Sequence, residues 1–255
     1  MNPGTYRSVS DPGQDRIFIT FDIDWASDPV FADTIDLVEG HGIPATWFVT
    51  HETGLLGRLE RNPVFEIGIH PNFNEMFEGR SEEGGMQGLL TRYRELAPSA
   101  VSIRCHSLAQ NNKMLDIFIR LGFTHDVNLF IPAQSKMELQ PFTSWGGLIR
   151  VPYFWEEDVH CLFLEEGREN DWNPARFLDA PGLKIFNFHP IHVFLNTEHL
   201  SRYDRTRAYH RDREALIGHR NPDPAGGTRY FLETLITEAK KRNMDFGLIR
   251  EIAVA

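Results

Sequence analysis

Cysteine is scarce in this chain, with Cys105 and Cys161 as its two thiols among 255 residues. Two cysteines are too few for the disulfide framework of a small secreted domain, and we expect both to be free thiols in a reducing compartment. No apolar run is long enough to span a bilayer, and residues 1–8 lack the apolar core of a secretory signal. These absences predict a cytoplasmic protein without a membrane span.

Basic residues are also fewer than acidic ones. The chain has 26 Lys and Arg and 36 Asp and Glu, which gives a net charge of -10. Nucleic acids and anionic membranes attract clustered basic residues, so this balance argues against both as main partners. The hydrophobic fraction of 41%, which includes 19 phenylalanines, indicates a globular protein with an aromatic-rich core. Composition leaves the oligomeric state open.

The order of the predicted elements favours a parallel sheet, because strands alternate with helices along most of the chain. A first strand ends within residues 20–24, and further strands are predicted at 45–50, 64–69, 101–104, 123–127, 148–151, 160–164, 183–188 and 246–249. Helices are predicted at 29–39, 55–61, 87–96, 113–121 and 229–242. We therefore predict one α/β barrel-like domain over residues 1–255, with 1–15 as a tail and 201–227 as a lid or surface insertion.

Two carboxylates stand where the first strand should end. Residues i and i+2 of an extended chain point to the same face, so Asp22 and Asp24 enter one site while Ile23 points away. One acid of such a pair can act as a base while the other holds a metal ion. The alternative is that both residues simply begin a loop, since Asp is a common turn former.

Polar residues also stand at the ends of later predicted strands. The ends of parallel strands gather at one edge of an α/β sheet, which is where active sites form. The strand-end residues are Asp22, Asp24, His70, Arg104, Asp126 and His189. One such histidine is more often structural than functional, but an ordered set favours a shared site.

The ordered set resembles the NodB-homology polysaccharide deacetylases, carbohydrate esterase family 4. The similar segments are residues 20–24 (TFDID), 43–49 (IPATWFV), 65–70 (FEIGIH), Arg104, 115–128 and 187–190 (NFHP). Residues 70–73 (HPNF) and 189–192 (HPIH) are similar to the WbmS-like branch, which is linked to bacterial surface polysaccharides such as lipopolysaccharide. The resemblance implies a single-domain distorted (β/α) barrel.

The resemblance also implies an activity, namely metal-dependent removal of the N-acetyl group from an acetamido sugar. In the matching motifs Asp22 is the base and Arg104 steadies it, Asp24 and His70 bind the metal, and His189 is the general acid. In a cytoplasmic protein the acetamido sugar is expected to be nucleotide-linked or lipid-linked.

The third metal ligand is where the chain departs from the family. The family has a second histidine four residues after the first, and Asn74 occupies that position. Zinc takes nitrogen and sulfur more readily than an amide oxygen, so His106 at the next strand end is the preferred replacement. Asn74, water and a site without metal remain as alternatives. A divalent ion is expected, with zinc as the first candidate, and the sequence does not separate zinc from iron, cobalt or nickel, because these ions share histidine and carboxylate ligands.

Other residues are assigned supporting roles. Asp158 is the candidate carboxylate to orient the His189 imidazole, although a solvated acidic turn explains it equally well. Trp155 and Tyr153 are candidates for an apolar wall against the sugar, although aromatic residues beside strands are more often core. His192 is expected to line the pocket. Two other functions stay open, a metal-independent cyclic-amide hydrolase and a carbohydrate-binding homologue without catalysis.

Overall fold

The computed structural model describes residues 16–24, 26–80 and 83–254, so the predicted tail at 1–15 lies outside the described residues. The strands are β1 Arg16–Asp22, β2 Ala45–Val49, β3 Phe65–Ile69, β4 Ser102–Ile103, β5 His125–Phe130, β6 Phe142–Thr143, β7 Ile149–Tyr153, β8 Trp155–Glu156, β9 Lys184–Phe188 and β10 Asp245–Gly247. The α-helices are α1 Asp28–His41, α2 Leu56–Arg61, α3 Asn74–Phe77, α4 Gly85–Leu96, α5 Asn112–Arg120, α6 Glu157–Glu165, α7 Ala175–Leu178, α8 Pro190–Leu195, α9 Leu200–Thr206, α10 Arg213–Ile217 and α11 Thr228–Lys241.

The strands form one sheet in the order β6-β7-β5-β4-β3-β2-β1-β9-β8, with β10 also paired to β1. All of these pairings are parallel except the one between β6 and β7. One residue, Phe154, separates β7 from β8. Since β7 pairs with β5 and β8 pairs with β9, this one stretch of chain joins the two sides of the sheet. The predicted distorted (β/α) barrel is confirmed.

Strand β1, which pairs with β2, β9 and β10, is buried on both faces, as expected for a parallel sheet covered by helices. Six of the seven residues of β1 are buried. Phe21 stacks on Trp47 of β2, with ring centroids 4.2 Å apart. Helix α1 returns the chain to the sheet. It starts with proline in its first turn and ends at Gly42 in the left-handed conformation, both of which are common helix boundaries.

Most predicted elements are present within a few residues of their expected bounds, but the strand predicted at 160–164 is wrong. That segment belongs to helix α6, whose buried residues include Glu157, His160 and Cys161. Their spacing of three and four residues is the signature of one helical face. The apolar run alone did not distinguish a strand from a short buried helix.

The polar segment 201–227 is mostly helical. It contains most of α9, all of α10, and a short 3-10 turn at Arg207–Tyr209. It packs on α8, where the Tyr203 and His192 ring centroids lie 4.8 Å apart. Within the described parts of the chain, no helix has the length and apolar character needed to cross a membrane.

Candidate active site

The ends of four parallel strands meet around one cavity of about 160 Å³. Strand β1 delivers Asp22 and Asp24, β3 delivers His70, the turn after β4 delivers His106, and β9 delivers His189. Asp126 is not among the described residues that line it. Asp126 lies near the start of β5, where it is buried and bonded to Arg150 and Asn128, so its role is structural.

Three of the predicted metal ligands form a small triangle of donor atoms. Asp24 Oδ1 lies 3.2 Å from His70 Nε2 and 3.4 Å from His106 Nδ1, and the two nitrogens are 3.3 Å apart. Metal–ligand bonds of about 2.0–2.1 Å in a tetrahedral shell place neighbouring donor atoms about 3.3–3.4 Å apart, whereas an octahedral shell would need about 2.9 Å. The triangle therefore has the dimensions of one face of a tetrahedral shell with bonds of that length.

Asp24 is held in a conformation that suits a ligand. Its Oδ1 is buried without a hydrogen-bond partner among the described residues, although two imidazole nitrogens face it. Burial opposes ionisation, but the adjacent imidazoles of His106 and His70 lower the pKa of Asp24 well below its usual value. Its φ of +36° is uncommon for a residue other than glycine. A divalent ion fits this buried anionic oxygen and its two imidazole neighbours.

His106 reaches the triangle because two loops are tied together. Its backbone N–H donates to the Pro71 carbonyl at 2.9 Å, which fixes the turn after β4 against the end of β3. The following residue, Ser107, has φ of +55° and turns the chain away. Asn74 begins α3 and bonds Asn72 through its backbone N–H. It is not among the described residues that line the cavity.

Asp22 is surrounded by donors. Asn187 Nδ2 donates to its Oδ2 at 2.8 Å, and Arg104 Nη1 donates to its Oδ1 at 3.2 Å. His70 Nδ1 lies 3.3 Å from the same Oδ1, as an ion-pair contact without hydrogen-bond alignment. Burial raises the pKa of Asp22, but Arg104 and His70 outweigh it, so the pKa lies well below its usual value. Asp22 is therefore a carboxylate throughout the neutral range.

Arg104 and Asn187 form one buried assembly beneath Asp22. The Arg104 guanidinium is fully buried, with its central carbon 4.5 Å from the ring centroids of both Phe48 and Tyr153. Asn187 Oδ1 accepts from Arg104 and, at 2.9 Å, from the Thr20 hydroxyl. Sequence reasoning missed Asn187. Its position two residues before His189, on the same strand face, was the available signal.

The carboxylate that contacts His189 is Glu157, so the assignment of Asp158 is wrong. Glu157 Oε1 lies 2.9 Å from His189 Nδ1 and accepts from the His189 backbone N–H at 2.6 Å. Asp158 Oδ1 instead accepts from the Val159 N–H in the first turn of α6. Burial lowers the pKa of His189, but Glu157 and Asp24 outweigh it and raise that pKa well above its usual value. Both carboxylates favour the protonated imidazole.

The two aromatic candidates differ in position, since Trp155 belongs to the core and Tyr153 lines the cavity. Trp155 is 3% exposed and stacks on Phe231 at 4.1 Å, so its assignment to the substrate wall is wrong. Tyr153 is buried yet lines the cavity, and its hydroxyl lies 2.6 Å from Glu156 Oε2. His192 lines an adjoining cavity, and its Nδ1 lies 3.1 Å from the Thr197 hydroxyl.

The family profile of the WbmS-like polysaccharide deacetylases matches residues 19–207. A solved structure from Bordetella bronchiseptica, provisionally described as a polysaccharide deacetylase involved in O-antigen biosynthesis, is 46% identical in sequence. The match covers 89% of this chain and 91% of that one, with a TM-score of 0.83. No curated protein matches the chain.

More distant structures were also found. A protein from Mycobacterium smegmatis, provisionally described as a polysaccharide deacetylase, is 17% identical over 99% of each chain, with a TM-score of 0.48. A family 4 pseudoenzyme from Bacillus anthracis is 12% identical over 95% of this chain and 66% of its own, also with a TM-score of 0.48. The sequence identities and TM-scores of these two structures are too low to support an argument about the site.

Proposed function

The chain belongs to the WbmS-like polysaccharide deacetylases, hydrolases of carbon–nitrogen bonds other than peptide bonds, and we propose that it removes the N-acetyl group from an acetamido sugar. The observation that carries this proposal is the placement of Asp22 and His189, a candidate base and a candidate acid, beside the donor triangle. His189 Nε2 lies 4.0 Å from Asp22 Oδ2 and 3.5 Å from Asp24 Oδ2. Amide hydrolysis needs both groups at one carbonyl.

The donor triangle supports a divalent ion held by Asp24, His70 and His106. Two imidazole nitrogens with one carboxylate oxygen are a common catalytic zinc set, and the tetrahedral spacing of the donors favours zinc. A bound ion would lower the pKa of its water and polarise the amide carbonyl. Asn74 has no place in this proposed ligand set.

Asp22 acts in this proposal as the base that accepts the proton of the attacking water. Arg104 and Asn187 keep the carboxylate ionised and fix the plane of its oxygens. Because both donors are buried, the carboxylate cannot rotate without losing a hydrogen bond. Asp22 therefore faces the cavity in one orientation.

His189 acts as the general acid that protonates the departing amine nitrogen. Glu157 contacts Nδ1, which leaves Nε2 to face the cavity and the two aspartates. The raised pKa of His189 keeps the proton in place at neutral pH. Glu157 is a positioning residue, since it affects the reaction only by orienting and charging the imidazole of His189.

The biological setting follows from the relative. The Bordetella bronchiseptica protein is described as involved in O-antigen biosynthesis, and we assign this chain to the assembly of a comparable bacterial surface polysaccharide. The substrate would be a nucleotide-linked or lipid-linked acetamido sugar in the cytoplasm. We also assign residues 1–255 to one catalytic domain, with 1–15 as a tail and 201–227 as a lid or surface insertion.

The proposal is tested by measuring metal content and acetate release on the same preparation. Protein purified without chelators should hold one equivalent of divalent metal and release acetate from an acetamido sugar. His106→Ala should lose metal and activity, whereas Asn74→Ala should retain both. Activity that survives chelation and Asp24→Ala would select the metal-independent cyclic-amide hydrolase. Glycan binding without turnover in the wild type would select the inactive binding protein.

A further inference from the structure

A second cavity opens beside the metal cavity, between α8 and α9. Its volume is about 350 Å³, within the range of about 300–1,000 Å³ typical of small-ligand sites. It shares Asp24, Asp158 and His189 with the metal cavity, so the two are continuous. A molecule in the second cavity is therefore next to the reacting groups.

The wall of this second cavity carries neutral hydrogen-bonding groups. His192 is buried, and burial together with the neighbouring His189 lowers its pKa to about 3, so its imidazole is uncharged. The Thr197 hydroxyl hydrogen-bonds Nδ1 of His192, and no described group hydrogen-bonds Nε2 of the same ring. Likewise, no described group hydrogen-bonds the hydroxyl of Tyr203. Ile191 and Leu200 supply apolar surface between them.

The Tyr203 ring is held in place by its neighbours. Its centroid lies 4.8 Å from the centroids of both His192 and His210. Asp204 and Arg207 at the same cavity form an ion pair at 2.9 Å, and both are exposed. The charges of Asp204 and Arg207 offset each other, and the other charged groups of the wall, Asp24, Asp158 and His189, are the ones shared with the metal cavity. The side away from the metal cavity therefore offers the neutral groups of Tyr203 and His192.

We propose that this cavity is a subsite for one pyranose ring, whose hydroxyl groups hydrogen-bond the Tyr203 hydroxyl and the His192 imidazole. The inference rests on the proposed deacetylation, because the acetamido group of that ring would lie over the donor triangle. Sugar hydroxyls are neutral and both donate and accept, as do the phenol and the uncharged imidazole. The substrate is thus recognised through its sugar ring as well as its acetyl group.

Tyr203→Phe tests the subsite because it removes one hydroxyl and keeps the ring contacts. The matched control is Tyr209→Phe, an exposed tyrosine of the same segment that stacks on His219 and does not line the cavity. The substrates are N-acetylglucosamine or N-acetylgalactosamine and the sugar-free ester 4-nitrophenyl acetate. In Tyr203→Phe the ratio of kcat/KM for the sugar to that for the ester should fall about fivefold, mainly through KM. Tyr209→Phe should leave the ratio unchanged.

Binding of the same sugars, followed by saturation-transfer NMR, separates this inference from the proposed function. One outcome is that the wild type binds a sugar more tightly than Tyr203→Phe does and yet releases no acetate. That result would contradict the proposed deacetylation and support the subsite. Deacetylation with an unchanged ratio in Tyr203→Phe would overturn the subsite alone. An equal loss on sugar and ester would also overturn it, since that pattern indicates a structural role. Failure of the wild type to bind either sugar would overturn it as well.

Discussion

His70 Nδ1 lies 3.3 Å from Asp22 Oδ1, so the proposed base sits directly behind a proposed metal ligand. The opposite nitrogen of the same ring, Nε2, faces Asp24. Burial opposes a charged imidazole, but Asp22 and Asp24 outweigh it and raise the pKa of His70 to about 9. Carboxylates behind metal-bound histidines orient the ring and raise its basicity. In the proposed mechanism Asp22 therefore acts on both the water proton and the metal ligand His70.

The first prediction concerns this double contact. Asp22→Asn keeps the shape of the side chain and removes the charge behind His70, so zinc affinity should fall about tenfold in addition to the loss of activity. Affinity is measured by competition with a chromogenic chelator. Asn187→Ala is the matched control, because it also removes a contact to Asp22 without touching His70. It should lower activity and leave affinity unchanged. Equal zinc affinity in Asp22→Asn and wild type would contradict the coupling.

The second prediction concerns the residue that positions the acid. Glu157→Gln removes the charge that raises the pKa of His189, so that pKa should fall. The proton on Nε2 is then lost at lower pH, and the alkaline limb of the pH–kcat profile should move to lower pH. At neutral pH we expect kcat to fall about tenfold or more.

Asp158→Asn is the control for Glu157→Gln, because it changes the neighbouring carboxylate that bonds its own helix. The alkaline limb of the pH–kcat profile should move less in Asp158→Asn than in Glu157→Gln. A larger displacement in Asp158→Asn would restore Asp158 as the orienting carboxylate.

The third prediction concerns stability. Arg104→Met leaves Asp22 buried without its guanidinium partner and should lower the free energy of unfolding by about 3–5 kcal/mol. Urea unfolding measures this difference. Arg120→Met removes an exposed ion pair with Asp116 and should change the free energy by about 0.5 kcal/mol. Comparable losses in the two variants would show that Asp22 does not depend on Arg104.

The fourth prediction concerns the pH dependence of stability. Burial and the charge of Asp158 raise the pKa of Glu156 from its ordinary value of 4.5 to about 8. Between these values the folded protein holds a proton that the unfolded chain has released, so stability decreases as pH rises through that window. Glu156→Gln should flatten this decrease in metal-free protein, as measured by urea unfolding at pH 5, 6.5 and 8. An unchanged slope would show that Glu156 is already ionised at pH 5.

The strand-end residues could be predicted from sequence because parallel strands bring their ends to one edge. Asp24, His70 and His106 meet for this reason, although their separation along the chain is large. Glu157 could not be predicted in this way. Its contact with His189 depends on the phase of α6, and the apolar run that follows was interpreted as a strand. Which of two adjacent acids reaches an imidazole depends on about 100° of helical rotation.

Trp155 illustrates a second limit of sequence reasoning. Successive side chains of a strand alternate between faces, so Tyr153 and Trp155 would share a face in one unbroken strand. The strand is interrupted between them, and Trp155 packs in the aromatic core against Phe231 while Tyr153 lines the cavity. Nothing in the local sequence marks this interruption.

The stretch formed by β7 and β8 leads to the residue that supports the proposed acid. β7 pairs with β5, β8 pairs with β9, and Glu157 follows β8 directly. The donor triangle, in contrast, comes from β1, β3 and the turn after β4. Metal capture and proton delivery thus depend on different parts of the chain, so a change in α6 can disable the acid while the three proposed ligands stay intact.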